Sequence, residues 1–128
     1  MAITDIPIFS MLRTRMHWNQ ERQRVLAENV ANADTPNFRP RDLVPVDVKQ
    51  PQPANLTLAR TDAHHLAGLP GGTAFPSRRG GYEIRPAGNA VNLEDEMMKV
   101  AANQMDYQAA TTLYGKSVGL LKTAIGRR

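Results

Sequence analysis

The stretch Arg24–Leu43, RVLAENVANADTPNFRPRDL, decides how this chain is read. It runs as a helix and stops abruptly at Thr35-Pro36, because a residue that precedes proline is pushed out of the helical region. Asn29 and Asn32 stand three residues apart just before the stop, where leucine or alanine would make a better helix. A helix that ends on amides and is followed by Pro36 and Pro40 hands over to a different kind of chain.

Upstream, the pattern is helical from Pro7 to about Ala33. Pro7 suits a first turn, where its missing N–H has no partner to lose. Steps of three and four residues give Phe9, Leu12, Met16, Asn19, Gln23, Leu26, Val30 and Ala33. This is the 3.5-residue repeat of a helix packed lengthwise on another. The seam is apolar at both ends and polar in the middle. Met11, Trp18 and Val25 form a second line, so the helix wants more than one neighbour. At 1.5 Å per residue it is roughly 40 Å long.

A second long helix is expected from Leu93 to about Ile125. Asn92 is a good N-cap, and Glu94, Asp95 and Glu96 lay negative charge on the positive end of the helix dipole. Its seam reads Leu93, Met97, Val100, Gln104, Tyr107, Thr111, Tyr114, Val118, Leu121 and Ile125, widened by Met98, Ala101, Met105, Leu113 and Leu120. Gly126 sits where a C-terminal glycine belongs. This helix is roughly 50 Å long. Gly115 and Gly119 share one of its faces; they suit either a close helix approach or a weak last stretch. The two helices can pair parallel or antiparallel.

Between them, residues 40–90 hold seven of the nine prolines and six of the nine glycines. Alternation suggests short strands at Leu56–Arg60 and Tyr82–Arg85; the remainder reads as loop. Such a segment buries too little apolar surface to order itself. The fold class is therefore mainly α. Residues 1–36 and 92–128 make one coiled-coil core domain, and 37–91 an extended loop and short-strand segment ordered on assembly.

The totals narrow the function. The 128 residues are 41% hydrophobic and only 5% aromatic, thin for a compact single core. Both long helices carry surplus apolar lines, which a single copy would leave in water. The net charge of +4 and the pI near 9.9 raise the alternative of a basic helical module that binds nucleic acid or an acidic partner. The arginines are scattered, however, with no basic run or nucleic-acid motif. Solvation, or pairing with carboxylates, accounts for them. There is no cysteine, hence no disulfide and no thiolate site. His17 and the pair His64-His65 lack companion ligands. The acidic triplet 94–96 is a cap rather than an acid–base pair. We expect no catalytic residue, no cofactor and no metal. Residues 1–18 do not read as a cleavable signal peptide, and no window reaches the roughly 20 apolar residues of a membrane span.

NVANADTPNFRPRDL (residues 29–43) resembles the N-terminal signature of bacterial flagellar rod and hook proteins, in which a helix ends in Asn-x-x-Asn-x-x-Thr-Pro-Gly-Tyr. GNAVNLEDEMMKVAANQMDYQAATTLYGKSVGLLKTAI (88–125) is similar to the matching C-terminal helix. The total length and RTDAHHL (60–66) resemble the proximal-rod members. Asn29, Asn32, Thr35 and Pro36 match position for position, and the aromatic role carries to Phe38. Asn37 replaces the usual glycine. Asparagine is among the few residues that accept positive φ, so the turn is expected to be kept. The resemblance implies a structural subunit that polymerises helically into the drive shaft and export channel. The terminal helices would form the inner tube, with Phe9, Leu12, Met16, Leu26, Val30, Leu93, Met97, Val100, Tyr107, Tyr114, Val118, Leu121 and Ile125 as the assembly seam. It implies as partners copies of itself, rod proteins of the FlgC and FlgF type, the adaptor protein FliE with the inner-membrane MS ring, and the type III export apparatus. The place implied is the periplasmic basal body, reached without a cleaved signal. In that setting Asn29 and Asn32 are expected to bond main-chain groups of the turn Ala33–Phe38, or of an adjacent subunit.

Overall fold

A computed structural model describes residues 6–46, 75–81 and 83–126. The elements run α1 (Pro7–Ala31), β1 (Arg41–Leu43), β2 (Ser77–Arg79) and α2 (Leu93–Ala124). The chain is mainly α, as its two periodic segments require.

α1 begins on Pro7 at the first helical position. It ends at Ala31, two residues earlier than periodicity suggested, because Asn32 leaves helical geometry with its N–H shared between the carbonyls of Glu28 and Asn29, both 3.2 Å away. α2 is capped by Asn92, whose side chain accepts from the main-chain N–H of Glu94 at 3.1 Å. It closes on Gly126, where φ is +77° and the N–H reaches the Thr123 carbonyl.

The helices pair antiparallel. Phe9 meets Tyr114 edge to face, with ring centroids 5.3 Å apart. Arg15 meets Asp106, Asn103 meets Asn19 and Gln23, and Asn29 meets Glu96. As numbers rise along α1 they fall along α2.

The second apolar line of α1 finds a different neighbour. Trp18 and Val25 pack with Leu43 and Phe75, and Val46 rests on this cluster. The Trp18 indole N–H donates to the Val44 carbonyl at 2.9 Å, and the Arg15 and Arg22 guanidinium groups lie 5.1 and 5.2 Å from its ring centroid. These contacts dock a two-stranded antiparallel ribbon on α1, in the register Arg41↔Arg79, Asp42↔Arg78 and Leu43↔Ser77. Each fully buried large apolar side chain is worth roughly 1.5–3 kcal/mol, enough to hold strands this short.

The two strands among the described residues lie outside the stretches that alternation suggested. Leu56–Arg60 lies outside the described residues, as does Tyr82. Glu83–Arg85 is not a strand; there the Arg85 N–H bonds the Asn89 carbonyl and the Gly88 N–H bonds the Arg85 carbonyl, and the chain turns. Residues 37–46 and 75–91 contribute buried Leu43, Phe75, Asn89, Ala90 and Val91 to the body of the molecule.

Candidate functional site

The signature turn is a junction where α1, β1 and α2 meet on asparagine side chains. Asn29 is buried. Its Nδ2 donates to the Arg41 carbonyl at 2.6 Å and to Glu96 Oε2 at 2.8 Å, and its Oδ1 accepts from the Arg41 N–H at 3.0 Å. One amide thus satisfies both main-chain groups of Arg41, as a further strand would, and ties them to α2. Glu96 is also buried, and its other oxygen accepts from Lys99 Nζ at 2.7 Å. A buried carboxylate needs such partners, since an unpaired one is costly.

Asn32 closes the helix. Its Nδ2 donates to the Glu28 carbonyl at 2.8 Å, and its Oδ1 accepts from the Thr35 hydroxyl at 3.1 Å. Neither amide therefore bonds a main-chain group of Ala33–Phe38: Asn32 holds the last helical turn and the Thr35 hydroxyl, and Asn29 reaches past the turn to Arg41. Asn37 has φ of 60°, as its substitution for glycine demanded. Its N–H donates to the Ala87 carbonyl, and the Phe38 carbonyl accepts from the Ala90 N–H at 3.0 Å. Gly88, at φ +78°, lies against Asn37, where a Cβ would collide with Asn37 Oδ1.

Asn89 completes the junction and was missed by sequence reading. Its Nδ2 donates to the Asn32 carbonyl at 2.9 Å and the Thr35 carbonyl at 2.6 Å, while its Oδ1 accepts from the Val91 N–H. These carbonyls, of the helix cap and the turn, also accept from the Thr35 and Phe38 N–H groups, so Asn89 adds a second bond to each. The available signal was an asparagine beside Gly88, just ahead of the Asn92 cap.

Four of the arginines, Arg15, Arg22, Arg24 and Arg41, pair with carboxylates. Arg22 grips Asp42 with two 2.8 Å hydrogen bonds. Burial pushes the Asp42 carboxyl up, but the hydrogen bond and charge of Arg22 and the Leu43 N–H outweigh it, holding it below its ordinary 3.8. The hydrogen bond to Asp42 in turn raises Arg22. Arg24 bridges Glu21 and Glu28, and Arg41 also reaches Glu28. Among the described residues no group of His, Asp and Glu is placed to hold a metal ion. No helix there is long and apolar enough to cross a membrane.

The seam residues divide. Phe9 and Leu26 are buried, and Leu12, Met16, Val30, Val100, Tyr107, Tyr114, Val118 and Leu121 are half-buried. Leu93, Met97 and Ile125 are exposed, Met97 at 62%. On α2 the deeply buried residues are Glu96, Asn103 and Ala110, one position before Met97, Gln104 and Thr111. The polar groups of α1 explain the difference: Gln23 and the Asn19 carbonyl meet Asn103, and Asn29 meets Glu96. Met98, Met105, Leu113 and Leu120 remain exposed.

The helix and exit turn of the junction fall in a segment that matches a known family. Residues 11–39 match the family described as flagella basal body rod protein. The chain is 32% identical to flagellar basal body rod protein FlgB of Agrobacterium fabrum, over 88% of this chain and 87% of that protein. This chain belongs to the FlgB family of flagellar basal body rod proteins. It is also 29% identical to FlgB of Aeromonas hydrophila over the full length of both, and 30% identical to FlgB of Salmonella typhimurium over 77% of this chain and 78% of that protein. In FlgB terms, the shared segment 11–39 spans most of α1 and its exit turn, while Arg41, Asn89 and Glu96, which the turn is bonded to, lie beyond it.

Proposed function

We propose that this chain is a structural subunit of the proximal rod of the flagellar basal body. The observation that carries the reading is similarity to FlgB proteins along nearly the whole chain, and the structure adds a reason for polymerisation. With α1 seated on one side of α2, Met98, Met105, Leu113 and Leu120 remain on exposed surface, and a long apolar face rimmed by polar residues is a protein contact. Neighbouring copies cover it in a helical array, and residues 1–36 and 92–128 form the tube wall. The exit turn fixes the direction in which the chain leaves the wall, through Asn29, Asn32, Thr35, Pro36, Asn37 and Phe38. The role is structural, not enzymatic.

The finer placement follows the same reading. The subunit leaves the cell interior through the type III export apparatus and assembles in the periplasm. It stands at the base of the rod, against the adaptor FliE and the MS ring, with rod proteins of the FlgC and FlgF type above. The nucleic-acid alternative finds no support in the relatives, all of them rod proteins, and Arg15, Arg22, Arg24 and Arg41 pair with carboxylates of the same chain.

The test is Leu120→Asp in a cell lacking the native gene. Leu120 is 72% exposed, so the variant folds as the parent does. Burying a carboxylate in a subunit contact is costly, so rods fail to form and motility is lost. Normal swimming with intact rods would show that this face meets no neighbour. Leu121→Asp, at a half-buried position, is expected to abolish motility as well, but by weakening the hairpin itself.

A further inference from the structure

α2 turns inward a line that hydrophobicity alone would turn out. Glu96 and Asn103 are each about 2% exposed, while Met97 and Met98, one and two residues on from Glu96, are 62% and 65% exposed. The choice leaves polar atoms short of partners: among the described residues Asn19 Nδ2, Asn19 Oδ1 and Asn103 Oδ1 are buried without a hydrogen bond. Buried amides without partners call for an explanation. What the arrangement secures is specific. Asn103 Nδ2 donates to the main-chain carbonyl of Asn19 at 2.9 Å and to Gln23 Oε1 at 3.0 Å, and seven residues earlier on the same line Glu96 accepts from Asn29.

We propose that these two polar layers are a sorting code that assigns the faces of α2. The line Glu96–Asn103 is reserved for α1 of the same chain, and the methionine and leucine face is kept free for other chains. A buried asparagine in a helix pair selects register and partner at a cost in stability, and rejection of wrong partners requires elements that clash with them. If α1 took the Met97 face, Gln23 and Asn29 would lose Asn103 and Glu96 and lie against apolar side chains. If a foreign apolar helix took the inner line, it would strand Glu96 and Asn103. A slip of one heptad sets Asn19 against Ala110 or Asn103 against Leu12. The orphaned amide atoms are the residue of this selectivity. The proposal concerns pairing within one chain and stands whether or not the chain builds a rod.

The test uses the full chain, in which introduced cysteines are the only ones because the natural sequence has none. Arg15→Cys with Asp106→Cys marks the native register, since those side chains meet at 3.1 Å on the surface. A short bis-maleimide should join them within one chain. Adding Glu96→Leu and Asn103→Leu makes the inner line apolar. The helix content should persist by circular dichroism, while the ratio of between-chain to within-chain product rises by roughly tenfold, the discrimination that one desolvated hydrogen bond supplies. Asn103→Leu alone should move the ratio in the same direction by less. An unchanged within-chain product in the double variant overturns the proposal. So does collapse of helicity in both variants, because the amides would then be holding the fold together rather than choosing its face.

Discussion

Asn29→Ala strikes the junction where it is most crowded. The substitution deletes an amide that makes three hydrogen bonds, two to the main chain of Arg41 and one to Glu96. Glu96 is left buried with Lys99 alone, and both Arg41 main-chain groups lose their side-chain partner. A buried group stripped of its partner costs about 1–3 kcal/mol, and more when charged. Water enters at the exposed Arg41 side and offsets part of this, so the expected loss is about 3–4 kcal/mol. That is large beside the roughly 5–15 kcal/mol that holds a domain together. Urea unfolding followed by fluorescence of Trp18 measures it well, since this is the sole tryptophan and its indole is hydrogen-bonded to the docked ribbon. Glu96→Ala on the Asn29→Ala background should restore part of the loss, because it removes the stranded carboxylate. A loss below about 1 kcal/mol, or strict additivity of the two substitutions, would refute the coupling.

Other perturbations read other parts of the structure. Gly81→Ala places a methyl 2.8 Å from the Ala90 Cβ at a φ of +103°, and is expected to cost about 1–3 kcal/mol in urea unfolding. Asn92→Ala removes the cap of α2 and should cost about 1 kcal/mol, with loss of helicity in the first turn. The Arg22–Asp42 pair confers acid sensitivity. Because Asp42 is held below its ordinary value in the folded chain, its contribution is complete above that value and is lost as pH falls through the folded one. The urea midpoint should therefore drop below about pH 4, and Asp42→Asn, already weaker at neutral pH, should drop less steeply.

Much of the architecture was legible because it depends on local chemistry. Pro7, the Asn92 cap and Gly126 mark helix ends by what each does to the main chain, and Asn37 adopts the positive φ that glycine would have taken. The strands were not legible. Arg41–Leu43 and Ser77–Arg79 are short and charged, and they pair because Leu43 and Phe75 are drawn to Trp18 and Val25 across the chain. The inward face of α2 was hidden for a related reason. Ranking faces by apolarity points to Met97, but the polar middle of α1 was already visible in Asn19 and Gln23, and a matching line exists one residue earlier, at Glu96 and Asn103. Likewise Asn29 was expected to serve its own turn, yet its partners are Arg41 and Glu96, residues brought close only by the folded chain.

Accessibility of the outer face of α2 before and after assembly tests the central claim most directly. Met105 is 65% exposed in the single chain, and Met105→Cys introduces a lone thiol into a chain that has none. A maleimide should label the purified subunit rapidly and completely. In isolated basal bodies assembled from the same variant, the thiol should be protected. Equal labelling in the two states would contradict the assignment of this face to contacts between rod subunits.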